Sequence, residues 1–259
     1  MAENNLRITL IQSNLHWEDT DANLQSFEEK IASVDDTDII LLPEMFSTGF
    51  SMKPESLAEE MNGRTVQWMI EIAVEKNVVL CGSLMIKSKN SFYNRLVWVQ
   101  PDGNIWIYDK HHLFSMGEEN NHYTAGTKKL IIDYKGWKIC PLVCYDLRFP
   151  VWSRNTQNYD LLIYVANWPE KRNYAWKSLL VARAIENQCY TIGLNRVGED
   201  GNKIYHSGDS SVIDMKGEIL FQKSHLEAVH TVTLSKSALD DYRKEFPVLN
   251  DRDEFDLKN

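Results

Sequence analysis

Three side chains able to combine in amide cleavage stand at the ends of short apolar runs. Ile139-Cys140-Pro141-Leu142-Val143 leads into Cys144 and is broken at once by Tyr145-Asp146-Leu147-Arg148-Phe149-Pro150. Asp38-Ile39-Ile40-Leu41-Leu42-Pro43 ends at Glu44, and Asn104-Ile105-Trp106-Ile107-Tyr108-Asp109 ends at Lys110. Such runs read as strands, and in α/β folds ligands and reactive groups gather beyond the carboxyl ends of strands. A thiol placed there is expected to be displayed and not buried. Cysteine attacks only as thiolate, and with a free pKa of about 8.5 it needs a base or a cation beside it. A carboxylate in a dry pocket has its pKa raised toward neutrality, where it can accept the thiol proton and later return it to a leaving amine. An ammonium that stays charged, with the backbone N–H of Tyr145 just past the nucleophile, can hold the oxyanion of a tetrahedral intermediate; one such donor is commonly worth about 3 kcal/mol. Glu44, Lys110 and Cys144 together would therefore form an amide-cleaving centre.

The elements that must position them follow from the hydrophobic pattern. Strand-like runs recur at 7–12, 38–43, 78–84, 94–100, 105–109, 130–134, 137–144, 161–166, 190–195, 211–214 and 218–222. Pro101-Asp102-Gly103-Asn104, Lys135-Gly136 and Lys216-Gly217 sit between β-rich runs and predict antiparallel hairpins. Helical spacing appears at 21–33, with Leu24, Phe27 and Ile31, at 65–76, with Val66, Met69, Ile70 and Ala73, and at 174–187. The last of these carries Leu179, Leu180, Ala182, Ala184 and Ile185 around Arg183 and Glu186, which predicts a helix packed on more than one side. Helices bracketing hairpin-rich β-structure lead to a mixed α/β fold, two sheets face to face with helices on each outer side. No Pro/Gly/Ser-rich linker or repeat interrupts the chain, so one domain over 1–259 is expected, with a tail from about residue 247 lying extended on a surface.

Composition narrows the function classes. With 259 residues, 43% hydrophobic and 25% charged, the chain has ordinary globular usage and enough length for a large core. A net charge of -9 without any basic stripe argues against nucleic acid as a partner. Neither a leader-like start nor a stretch of roughly 18 apolar residues is present, so no membrane association and a cytoplasmic address are expected. Cys81, Cys140, Cys144 and Cys189 are too few for a disulfide framework and fit a reducing compartment. On one strand, Cys140 and Cys144 would lie about 13 Å apart, too far to bridge or to share a metal. Without a Cys-x-x-Cys or His-x-x-x-His pair no metal is expected, and the chemistry calls for no cofactor.

The order Glu, Lys, Cys in Leu41-Leu42-Pro43-Glu44-Met45-Phe46, Asp109-Lys110-His111-His112-Leu113-Phe114 and Val143-Cys144-Tyr145-Asp146-Leu147-Arg148-Phe149-Pro150 resembles the nitrilase superfamily of carbon-nitrogen hydrolases. The resemblance runs from the first strand to about Phe255. It implies an α-β-β-α sandwich carrying Glu44 as general base, Lys110 as oxyanion stabiliser and Cys144 as the nucleophile that forms a thioester. It also implies a second glutamate in the loop after the lysine; counting back from Gly126 lands on Glu119, with Glu118 its neighbour. Cys144 to Pro150 followed by Ala166-Asn167-Trp168-Pro169 is similar to the omega-amidase branch, which cleaves the terminal amide of 2-oxoglutaramate and 2-oxosuccinamate. That branch implies pocket roles for Phe46, Phe50, Trp168 and Trp176 beside Tyr145. A homodimer, paired through a helix face, is likewise implied.

A small anionic substrate would need a fixed cation, because the overall charge repels anions at long range. Arg148 and Arg172 are the nearest candidates in sequence, although Arg148 could equally serve a salt bridge shaping the turn after Cys144. Rival readings stand beside this one. Cys144 could pair with His111, His112 or His206, as in Cys-His hydrolases; the acyl group could be of N-carbamoyl or deaminated-glutathione type; or the sandwich could bind a ligand without chemistry.

Overall fold

The alternation of strand and helix signals resolves, in the computed structural model describing residues 5–257, into two facing sheets. The strands are β1 (Asn5–Gln12), β2 (Ile39–Leu41), β3 (Val79–Ser88), β4 (Ser91–Val99), β5 (Ile105–Asp109), β6 (Ile132–Tyr134) and β7 (Trp137–Val143). They continue as β8 (Leu161–Ala166), β9 (Tyr190–Asn195), β10 (Val197–Glu199), β11 (Tyr205–Ile213), β12 (Ile219–Ser224) and β13 (Ala228–Ser235). The first sheet has the order β13-β1-β2-β3-β4-β5 and the second β10-β11-β9-β8-β7-β6, with β12 beside β11. Four longer helices are α1 (Thr20–Ala32), α2 (Arg64–Lys76), α3 (Asn173–Asn187) and α4 (Lys236–Glu245).

Alternating side-chain direction along each strand decides which face a residue serves, and both faces are covered. Leu6, Ile8 and Leu10 of β1, Ile39 and Leu41 of β2, Val79 and Cys81 of β3, and Leu96 and Trp98 of β4 point between the sheets. There they join Trp137, Ile139 and their neighbours from the second sheet. The alternate residues Ile11, Ile40, Leu80, Val97 and Val99 pack outward against Leu24, Phe27 and Ile31 of α1 and Val66, Met69 and Ala73 of α2. On the far side, Trp176, Leu180 and Ala184 of α3 and Leu239 of α4 cover the second sheet. The result is the four-layer α-β-β-α sandwich. All three expected hairpins are antiparallel: β4 with β5, β6 with β7, and β11 with β12.

Strand direction explains how the chemistry converges. β2 runs parallel to β3, and β3, β4 and β5 alternate in direction, so β2 and β5 end at the same edge of the first sheet. In the second sheet β7, β8 and β9 are parallel, with β7 ending at Val143.

Some expectations need correction. α3 buries one face, through Trp176, Leu180, Arg183, Ala184 and Asn187, while Tyr174 is 81% and Ile185 50% exposed, because the helix is the outermost layer of its side. β13 and α4 lie outside the runs that periodicity singled out. β13 is an edge strand with half-exposed alternation, and its partner β1 lies at the opposite end of the chain. The tail is not wholly extended: Val248–Asp251 forms a short 3-10 turn with Leu249 buried, and irregular chain follows. No helix among the described residues is long and apolar enough to cross a membrane.

Candidate active site

Glu44 follows β2, Lys110 follows β5 and Cys144 follows β7, so two strand ends of one sheet meet one of the other. Lys110 is fully buried, as are Glu44 and Glu119. Its Nζ lies 2.8 Å from Glu44 Oε1 and 3.1 and 2.9 Å from the two oxygens of Glu119. Glu118, by contrast, is exposed, so the buried acid of the loop is Glu119. Asn94 of β4 ties the carboxylates together: its Nδ2 donates to Glu44 Oε1 at 2.8 Å and to Glu119 Oε1 at 3.0 Å. Asn94 Oδ1 accepts from Ser83 Oγ, which accepts from the Met45 backbone N–H. The remaining Glu44 oxygen accepts from the Asn167 backbone N–H at 2.7 Å, and the Phe114 N–H donates to Glu119 at 2.6 Å.

Burying three ionisable groups together is costly unless every lone pair and proton is matched, and here the matching is dense. Burial pulls the Lys110 ammonium down, but the charges of Glu119 and Glu44 outweigh it and hold the pKa above its usual value. Burial raises Glu119, with Lys110 opposing and Glu44 reinforcing the rise. The Cys144 thiol is pushed well up by burial and by Glu44, against the pull of Lys110. The resting sulfur therefore keeps its proton, and deprotonation has to accompany attack.

The backbone is strained where the chemistry sits. Cys144 has φ +43°, Met45, directly after Glu44, has φ +44°, and Glu118, directly before Glu119, has φ +60°. L-residues rarely enter this left-handed region, and bulky ones do so only where the surroundings enforce it. At Cys144 the strained residue opens a 3-10 turn, Cys144–Arg148, that swings the chain away from β7.

Cys144 and Lys110 line a cavity of about 530 Å³, the size of a small-molecule site. Cys144 is only 8% exposed, so the thiol expected to be displayed at the strand end is recessed in the cavity, whose lining includes the contacting rings of Phe114 and Tyr145. Phe50, Tyr145 and Trp168 form walls, Lys110 standing 5.2 Å from the Phe50 ring centroid. Phe46 and Trp176 do not line the cavity. Phe46 points outward from β2's continuation into the α1/α2 layer, edge-on to Phe27 and beside Trp68. Trp176 faces the second sheet, fully buried, and donates to the Asp209 carbonyl at 3.0 Å.

Of the histidines, His112 Nδ1 is engaged by Asp146 and His111 Nδ1 by the Gly126 carbonyl, while the Cys144 thiol is hydrogen-bonded to Glu44. His206 does line the cavity, 2% exposed. Asn94, inside β4, and Asn167, just after β8, are buried amides that must find partners, and neither stands out in the sequence.

The arrangement of a thiol, two carboxylates and an ammonium beside one cavity suits acyl transfer. A carbon-nitrogen hydrolase family model matches residues 7–244. The omega-amidase of Escherichia coli strain K12 is 47% identical over 255 residues, covering 97% of this chain and 98% of that protein. The 2-oxoglutaramate amidase of Bacillus subtilis is 33% identical, covering 83% of this chain and 84% of its own. Among solved structures, a CN-hydrolase superfamily protein of Xanthomonas campestris, which carries an arsenic adduct in its active site, superposes with a TM-score of 0.96 at 42% identity, covering 98% of this chain and 99% of that one. Fold, convergent strand ends and near full-length similarity agree: the chain belongs to the carbon-nitrogen hydrolases.

Proposed function

We propose that the protein is an omega-amidase, hydrolysing the terminal amide of small 2-oxo acid amides such as 2-oxoglutaramate and 2-oxosuccinamate. Glu44 takes the Cys144 proton as sulfur attacks the amide carbon. The oxyanion forms against the Lys110 ammonium and the Tyr145 N–H. Glu44 returns the proton to the amine, ammonia leaves, and the acyl group remains as a thioester. Water, deprotonated by Glu44, then attacks the thioester and regenerates the thiol. Glu119 and Asn94 hold Lys110 and Glu44 in place, while Tyr145 and Trp168 wall the acyl group.

The observation that carries the substrate class is a pair of uncommitted guanidiniums lining the cavity. Arg148 stacks 5.1 Å from the Trp168 ring centroid and Arg172 5.0 Å from that of Phe114. Among the described residues neither forms an ion pair, so the salt bridge weighed for Arg148 has no partner. A carboxylate distal to the scissile amide would meet both. The similarity to the omega-amidase of Escherichia coli supports the same reading.

The whole chain acts as one catalytic unit in this proposal. Two copies pair through the exposed face of α3, around Tyr174 and Ile185, and the four buried free cysteines suit a reducing cytoplasm. Sedimentation of the Ile185→Glu variant against wild type tests the pairing.

The activity test is ammonia release from 2-oxoglutaramate, 2-oxosuccinamate, glutamine, asparagine, an N-carbamoyl amino acid and a nitrile. Release from the two oxo-acid amides, lost in Cys144→Ala, is the expected result. Release confined to another compound moves the specificity and rejects the omega-amidase reading.

A further inference from the structure

Lys110 and Cys144 belong to strand ends of different sheets, so something must set one against the other. Asp146, fully buried two residues after Cys144, is bonded to both ends. Its Oδ2 accepts from the Val143 N–H at 3.1 Å, on the Cys144 side, and from Tyr108 Oη at 2.7 Å, on β5. Its Oδ1 accepts from the backbone N–H of His112 at 3.0 Å and from His112 Nδ1 at 2.8 Å, just beyond Lys110. Tyr108 Oη passes the connection on, accepting from the His111 N–H at 3.2 Å and from Trp152 Nε1 at 3.0 Å. The rings are clamped as well: His112 stacks on Phe149 with centroids 3.7 Å apart and planes 3° apart, and His111 stacks on Trp152 at 3.8 Å. Neither Asp146 nor His112 hydrogen-bonds the Cys144 sulfur or Lys110 Nζ.

We infer that Asp146 and His112 are positioning residues, a cross-sheet staple that holds the Lys110 and Cys144 strand ends in register. A carboxylate that takes four donors, three from the stretch around Lys110 and one from the strand that leads to Cys144, has little freedom to drift. With His112 donating from Nδ1, the imidazole works as a shaped N–H and not as a base. The staple also fixes the 3-10 turn that carries the strained Cys144, since Asp146 and Val143 bracket that residue. The inference rests on the assignment of Lys110 and Cys144 to the chemistry and is independent of which amide is cleaved.

The test compares His112→Ala, His112→Asn and Asp146→Asn with wild type. Asparagine places an amide N–H near the position of imidazole Nδ1, whereas alanine removes it. Misplacement of reacting groups by about 1 Å can cost a hundredfold in rate, so His112→Ala is expected to lose about that much in kcat with little change in KM. His112→Asn is expected to restore most of the lost kcat. Asp146→Asn, which swaps an acceptor oxygen for a donor, is expected to lose kcat as well. Circular dichroism melts separate lost register from lost fold. The rate at which iodoacetamide labels Cys144 provides a readout without substrate and is expected to fall in His112→Ala. Should wild type label at Cys144 yet cleave no oxo-acid amide, the substrate reading fails and the labelling comparison still judges the staple. Unchanged kcat and labelling in His112→Ala, or a loss that follows the melting temperature and is not recovered by His112→Asn, would overturn it.

Discussion

Lys110 is the residue on which the site's electrostatics turn. Removing it leaves Glu44 and Glu119 facing each other without a cation, and breaking a buried ion pair in this way costs about 3–5 kcal/mol. Lys110→Met is therefore expected to lose both turnover and that much stability, read by urea unfolding; a catalytic loss at wild-type stability would mean that the carboxylates are neutral without it. At Cys144, burial and the Glu44 charge keep the proton on sulfur. Alkylation of Cys144 should consequently keep accelerating as pH rises past neutrality, and a rate that levels off near neutral pH would indicate a preformed thiolate. Glu44, Lys110 and Cys144 were legible in the sequence because each ends a strand-like run and the three motifs stand in the order that resembles the nitrilase superfamily. Asn94 was not, since nothing in Phe92-Tyr93-Asn94-Arg95 separates a buried amide from a turn residue.

Among the elements, the segment after β5 shows how tightly backbone must approach backbone. Gly126 donates its N–H to the Lys110 carbonyl at 2.9 Å, and a Cβ built there would lie 2.1 Å from the Asp109 carbonyl oxygen. Gly126→Ala must then push the Lys110 strand end aside, and kcat is expected to drop while the cavity-wall contacts that set KM persist. Steady-state kinetics with both parameters resolved checks this. Phe46 gives the opposite prediction: because it packs between α1 and α2 and not in the cavity, Phe46→Ala should cost about 3–5 kcal/mol of stability and leave KM near wild type. The same contrast explains what sequence could and could not tell. Short apolar runs made the central strands of both sheets legible, and turn chemistry made the hairpins so. Whether an aromatic at a strand end faces core or cavity depends on what lies across the sheet, as Phe46 and Trp168 demonstrate. β13 escaped because its register is set by a strand at the other end of the chain.

For the molecule as a whole, acid should be the weak direction. Burial and the nearby Arg196 charge depress the His206 imidazole from 6.5 to about 4. The native state thus keeps His206 neutral while the unfolded chain takes up a proton. The stability this residue contributes is complete above pH 6.5 and is lost as pH falls toward 4, by up to about 3 kcal/mol. Urea titrations at pH 7 and pH 4.5 should show a smaller difference for His206→Gln than for wild type, and equal differences would remove His206 from the account. A final consequence concerns the two acids that flank the single ammonium at the bottom of the cavity. An amide arrives there uncharged and departs as a carboxylate. In the proposed mode of binding, Arg148 and Arg172 hold the distal carboxylate, so the new carboxylate forms at the other end of the acyl group, beside two acidic side chains that share one ammonium. The centre that holds Lys110 in place thereby also binds its own product poorly, so that the acid it makes should inhibit only at concentrations well above the KM for the amide.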